Sequence, residues 1–135
     1  MKDILLLIGS ESDREAVRPA VELMAQRRLS HDLRVFSAHR NLPELLQFLE
    51  ADAASYRIII AAAGLSAALP GVVASRVKAP VIGVPLAVGA LAGMDALLSI
   101  LQLPKGVPVA TMGIGKQGVL NAVHLAERIL GLSRG

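Results

Sequence analysis

Cysteine and tryptophan are absent from the 135 residues, and the aromatic count stops at one tyrosine and two phenylalanines. Without cysteine there is no disulfide framework and no thiolate chemistry, a composition that suits the cytosol. So few aromatic rings leave no platform on which nucleic-acid bases could stack, and the net charge of +3 is small, with Lys and Arg scattered. Nucleic acid is therefore not expected as a partner. Long uninterrupted apolar runs are also missing, although 53% of the residues are hydrophobic. The uncharged stretch from Ile58 to Ser75 is broken by Gly64, Pro70 and Gly71. The stretch from Ala79 to Met94 is broken by Pro80, Gly83, Pro85, Gly89 and Gly93. Neither reads as a membrane-spanning helix, and Met1-Lys2-Asp3 with its short apolar sequel lacks the layout of a signal peptide. A soluble, cytoplasmic chain with residues 1–135 as a single domain is the expectation.

What is present is a regular alternation of apolar patterns. Ile4 to Ile8 is a continuous apolar run ending at Gly9, as a strand buried on both faces requires. Ala16, Val17, Ala20, Val21 and Met24 then recur at helical spacing up to about Arg28. His31 to Phe36 reads as a second strand, and Leu42, Leu45, Leu46 and Leu49 as the stripe of a second helix. Arg57 to Ala61 gives a third strand, followed by a helix near Leu69 to Val77. Val81 to Val84 is the fourth strand, Leu91 to Leu101 a helix, Val107 to Thr111 a fifth strand, and Gln117 to Leu130 the closing helix. Strands alternating with helices at this pace predict an α/β fold: one doubly wound parallel sheet in a flavodoxin-like three-layer αβα arrangement. The helix from Leu91 to Leu101 has almost no polar face beyond Asp95 and Ser99. A helix apolar nearly all round needs cover on nearly all sides, which points to a homo-oligomer with this helix in the interface.

In an open α/β sheet, ligands sit beyond the carboxyl ends of the strands, where the strand order switches. With the order 2-1-3, the loops Gly9-Ser10-Glu11-Ser12-Asp13, Ser37-Ala38-His39-Arg40 and Ala63-Gly64-Leu65-Ser66-Ala67 become neighbours around one crevice. Gly9 permits close backbone approach. Ser10 and Ser12 supply hydroxyls, and the helix that follows presents free N–H groups and a partial positive charge, which together make an anion site. Arg40 adds a planar fork suited to phosphate. Asp13 would repel a phosphate but can accept hydrogen bonds from sugar hydroxyls beside it. His39 can give or take a proton near neutrality. The plainer alternative is a polar turn at residues 37–40 and ordinary helix capping by Ser12 and Asp13. Gly113-Ile114-Gly115-Lys116 lacks the spacing of a phosphate loop and the Ser or Thr after Lys, so an ATP site is rejected. His31 and His124 read as structural, and no His, Asp or Glu spacing indicates a metal.

Taken in order, Gly9-Ser10-x-Ser12-Asp13, Ser37-Ala38-His39-Arg40, Leu69-Pro70-Gly71, Val81-Ile82-Gly83-Val84-Pro85 and Gly106-Val107-Pro108-Val109-Ala110-Thr111 resemble a known family. With Ile114-Gly115-Lys116 and Asn121, they are similar to the phosphoribosylaminoimidazole carboxylase catalytic subunit, the PurE family of purine biosynthesis. Its bacterial form is N5-carboxyaminoimidazole ribonucleotide mutase. The resemblance implies a flavodoxin-like subunit in a homo-octamer, with no metal or organic cofactor. It implies carboxylate transfer on aminoimidazole ribonucleotide, with carbon dioxide as the intermediate. Ser10, Ser12 and Arg40 would hold the phosphate, Asp13 the ribose, and His39 would be the catalytic acid/base. Ser37, Ala38, Gly64, Ser66 and Leu69 complete the expected substrate-binding set.

Three departures from the family pattern stand out. Ala68 takes the place of a second active-site histidine, Leu65 the place of a glycine, and Ala87-Val88-Gly89 the place of a more polar segment. The sugar-phosphate half of the site is thus kept and the half facing the base is altered. Two other readings follow from these departures: a divergent paralogue that carboxylates or decarboxylates a different ribonucleotide, and a non-catalytic nucleotide-binding oligomer.

Overall fold

The computed structural model describes residues 1–132. Its centre is a five-stranded, all-parallel sheet in the order β2-β1-β3-β4-β5. The strands are β1 (Lys2–Ile8), β2 (His31–Val35), β3 (Tyr56–Ala63), β4 (Val81–Pro85) and β5 (Ala110–Thr111). The helices are α1 (Arg14–Gln26), α2 (Leu42–Asp52), α3 (Leu69–Ala74), α4 (Met94–Leu101) and α5 (Gly115–Leu132). This is the flavodoxin-like three-layer arrangement that the alternation of patterns predicts.

The unbroken apolar run of β1 is explained by burial on both faces. Ile4, Leu6 and Ile8 point to one side, where Val17, Ala20 and Met24 of α1 and Val119, Ala122, Val123 and Ala126 of α5 cover them. Leu5 and Leu7 point to the other side, against Leu45 and Leu49 of α2, Leu69 and Val73 of α3 and Ala96 of α4. Because side chains alternate across a strand, a strand covered on both faces must be apolar at every position. Each fully buried Ile or Leu contributes about 1.5–3 kcal/mol through removal from water. Strand β3 continues this pattern with Ile58, Ile59, Ile60, Ala61 and Ala62, all nearly inaccessible.

Several boundaries differ from the sequence expectation, each for a local reason. The helix expected from Leu91 begins at Met94. Ala92 and Gly93 have φ of 51° and 96°, which no right-handed helix accommodates, so Leu91 lies in an exposed turn. Strand β5 is reduced from the expected Val107–Thr111 to Ala110–Thr111. Pro108 has no N–H for a ladder, and Val107 instead donates to the Pro104 carbonyl in a turn (3.0 Å). Helix α3 stops at Ala74 rather than near Val77, while β3 runs on to Ala63. His31 accepts the structural role expected of it, its Nδ1 lying 2.9 Å from the Leu29 carbonyl oxygen. His124, in contrast, is exposed on α5.

Candidate functional site

Strand order reverses between β1 and β3, so the chain after β1 turns towards one face of the sheet and the chain after β3 towards the other. The divergence leaves an open cleft of ≈ 680 Å³ at the carboxyl edge. Its walls include Ser10, Ser12, Asp13, Ser37, Ala38, His39, Arg40, Gly64, Ser66 and Leu69. Three loops far apart in sequence are thereby brought to one rim, and His39 shares a hollow with Ser12.

The first loop is a single 3₁₀ turn, Glu11–Asp13, leading directly into α1. Ser10 caps it: the Ser10 Oγ accepts from the Ser12 N–H (3.3 Å) and lies 2.9 Å from the Ser12 Oγ. Two hydroxyls therefore converge at the mouth of the turn. Glu11 also faces the cleft, but Arg14 grips its carboxylate through two hydrogen bonds of 2.9 Å and holds its pKa below the ordinary value. This pairing offsets a negative charge that would otherwise oppose an anion beside Ser10. Asp13 occupies the N-cap position of α1 yet makes no side-chain capping hydrogen bond. It is the one buried charged residue, at 8% exposure among the described residues, and burial pushes its pKa up against a backbone hydrogen bond from Ser10. Capping does not account for it, which leaves its carboxylate available to the cleft.

The second loop forms a tight turn after β2. The Ser37 Oγ accepts from the Arg40 N–H (3.1 Å), and the Asn41 N–H donates to the Ser37 carbonyl (2.8 Å). This closes the chain so that His39 and Arg40 project outward before α2 begins. Both are exposed, and Arg40 makes no ion pair among the described residues. An unpaired guanidinium lining the same cleft as two hydroxyls can take an oxyanion without first breaking an internal bond.

The third loop carries the altered half. Leu65 has φ of 57° and is 56% exposed. A left-handed conformation at a residue bearing a Cβ costs roughly 1–2 kcal/mol, and exposure returns little of it. The side chain lies over Gly89, where an added Cβ would come within 2.6 Å of the Leu65 Cδ2. Val88 does the same in the opposite direction, its Cγ2 standing 1.9 Å from where a Gly64 Cβ would be. The loops after β3 and β4 each press a branched aliphatic side chain onto the other's glycine. Ala63, Ala68, Leu69 and Val88 continue the apolar lining, with Ser66 the only polar side chain on this wall.

Glu11, Asn41 and Val88 line the cleft but do not belong to the set read from sequence. Val88 could have been found by applying the strand-end rule to β4, the neighbour of β3. A second hollow of ≈ 340 Å³ lies behind Val88, lined also by Glu15, Pro19, Ala87 and Lys116. Among the described residues, no three His, Asp or Glu side chains converge as a metal site would require.

Fold and cleft together define a flavodoxin-like α/β protein with a candidate ligand cleft at the switch point of a parallel sheet. The profile of the AIR carboxylase family matches residues 3–135, and the chain belongs to that family. It is 47% identical over 133 residues to the N5-carboxyaminoimidazole ribonucleotide mutase of Saccharolobus solfataricus, covering 98% of this chain and 83% of that one. The Escherichia coli K12 protein of the same name is 43% identical over 128 residues, with 94% and 76% covered. A crystal structure of Treponema denticola PurE superposes with a TM-score of 0.83 at 29% identity, over 96% of this chain and 80% of that one.

Proposed function

We propose that this chain is an N5-carboxyaminoimidazole ribonucleotide mutase, moving a carboxylate from the exocyclic nitrogen to a ring carbon of aminoimidazole ribonucleotide. The observation that carries the reading is the convergence of Ser10, Ser12, Asp13, His39 and Arg40 on one cleft in a member of the AIR carboxylase family. The two hydroxyls and Arg40 take the phosphate, and Asp13 accepts hydrogen bonds from the ribose. Ser37 holds the turn that presents His39 and Arg40. Ala38, Gly64, Ser66 and Leu69 bound the space for the base.

The reaction needs bond exchange and one proton relay. The bond between nitrogen and carboxylate carbon breaks, carbon dioxide departs, and the nitrogen takes up a proton. The ring carbon then attacks carbon dioxide and surrenders its own proton. One group able both to give and to take a proton meets this requirement, and His39 is the only imidazole on the cleft wall. Holding carbon dioxide against the ring carbon is a positioning problem, in which orientation can supply up to about 7–11 kcal/mol.

The active form is a homo-oligomer, an octamer by family resemblance, working in the cytoplasm. Supporting this, Leu91, Met94, Leu98 and Leu101 form an exposed apolar strip on and just before α4, each at least half exposed. No helix among the described residues is long and apolar enough to cross a membrane, and apolar surface of this kind is characteristic of subunit contacts. An ultraviolet assay of the interconversion of the N- and C-carboxylated ribonucleotides tests the activity. Interconversion is the expected result; binding of both nucleotides without interconversion would refute it. Sedimentation at micromolar concentration tests the assembly, and a monomer would refute that part.

A further inference from the structure

The aliphatic pair Leu65 and Val88 forms a wall across one end of the cleft, and its chemistry says which ligand state that end accepts. We infer that Leu65 and Val88 are specificity-determining residues that make the site favour the ribonucleotide lacking a carboxylate over its carboxylated form. This deepens the mutase reading and rests on it.

Three observations carry the inference. First, Leu65 sits at a φ of 57°, a conformation natural to glycine, while 56% of its surface stays exposed. Core packing therefore does not explain why a leucine stands there, and the contact it makes is with Gly89 across the gap between loops. Second, Val88 seats on Gly64 in return, so each loop places an aliphatic side chain over the other's glycine. Third, among the described residues no cationic side chain of the loops after β3 and β4 lines the cleft. His39 and Arg40 belong to the loop after β2, and Lys116 lines the separate hollow behind Val88. A carboxylate pressed against this surface loses water and gains no counter-charge, whereas an uncharged ring edge or neutral carbon dioxide loses nothing comparable. Val88 is also the partition between the two hollows, since it lines both. Trimming it opens the cleft towards the Lys116 ammonium.

The test is calorimetric titration of the wild-type chain, Leu65→Gly and Val88→Ala with aminoimidazole ribonucleotide and with its carboxylated form. Leu65→Gly suits the positive φ, and Val88→Ala removes only part of an exposed side chain, so both variants fold. The wild-type chain is expected to prefer the uncarboxylated nucleotide by about tenfold, the factor corresponding to ~1.4 kcal/mol of carboxylate desolvation. Both substitutions should shrink that preference severalfold, and Lys116→Met should cancel the gain made by Val88→Ala. Equal wild-type affinities, or a preference that survives both substitutions, would overturn the inference while leaving the mutase reading intact. Binding of neither nucleotide would refute the ribonucleotide reading and this inference together.

Discussion

Replacing Arg40 by alanine tests the proposed phosphate grip separately from the rest of the site. The substitution leaves the fold alone for two reasons visible in the structure. The guanidinium makes no ion pair among the described residues, and the bond that shapes the turn runs from the Arg40 backbone N–H to the Ser37 Oγ at 3.1 Å, which alanine retains. What is lost is a charge-assisted contact with a phosphate, worth about 1.5–3 kcal/mol. That range corresponds to a roughly 10- to 150-fold rise in Kd for the ribonucleotide. The nucleoside, which has no phosphate, should bind the wild-type chain and Arg40→Ala equally. Calorimetry with the ribonucleotide and nucleoside pair reads both quantities, and raised salt should narrow the wild-type preference because Arg40 is exposed. An undiminished preference for the phosphorylated ligand in Arg40→Ala would show that the phosphate lies elsewhere. An equal loss for nucleoside and nucleotide would show that Arg40 acts on the base or sugar.

His39→Asn should lower turnover by about 10²–10⁴-fold with ribonucleotide affinity within a few-fold of wild type, as removal of an acid/base group predicts; retained turnover would reassign the proton relay. Gly64→Ala drives a Cβ to within 1.9 Å of the Val88 Cγ2 and should destabilise the chain by about 1–3 kcal/mol, most of it recovered in the double variant with Val88→Ala. Additive losses in denaturant unfolding would rule out the interlock. At the opposite edge of the sheet, Lys2 (2.6 Å) and the Tyr56 hydroxyl (2.5 Å) both donate to Asp32 and hold its carboxyl below the ordinary value. Their contribution is complete above the unfolded carboxylate's pKa of about 4 and is lost as pH falls through the lowered folded value. Thermal unfolding should therefore show a falling Tm on acidification, and Asp32→Asn should flatten the decline. Tyr56→Phe should cost about 1 kcal/mol at neutral pH, where the phenol, pushed up to about 12 by burial and by Asp32, is a protonated donor.

Much of the fold was legible because its signals are local. Five apolar runs and the helical stripes between them are properties of short windows, and a parallel doubly wound sheet follows from their alternation. The misplaced boundaries occur where one backbone atom or one dihedral decides. Pro108 lacks the N–H that would have lengthened β5. Ala92 and Gly93 adopt positive φ that the apolar pattern of Leu91 to Leu101 does not register. The meeting of Ser10, Ser12, Asp13, His39 and Arg40 on one cleft was recoverable from loop position. Val88 was within reach only by carrying the strand-end rule on to β4, and nothing in Ala87-Val88-Gly89 announces that it covers Gly64.

The sequence by itself determined the elements, the layered architecture and which polar groups stand at the ends of β1 and β2. Those depend on periodicity and functional-group chemistry, which neighbouring residues fix. Tertiary structure alone decided that Asp13 is buried without capping α1 and that Leu65 and Val88 interlock over Gly89 and Gly64. It also decided that Lys116, 28 residues further along the chain, lines the hollow that shares Val88 with the cleft. Such facts depend on distances between segments more than 20 residues apart, and no pattern along the chain encodes a distance through space.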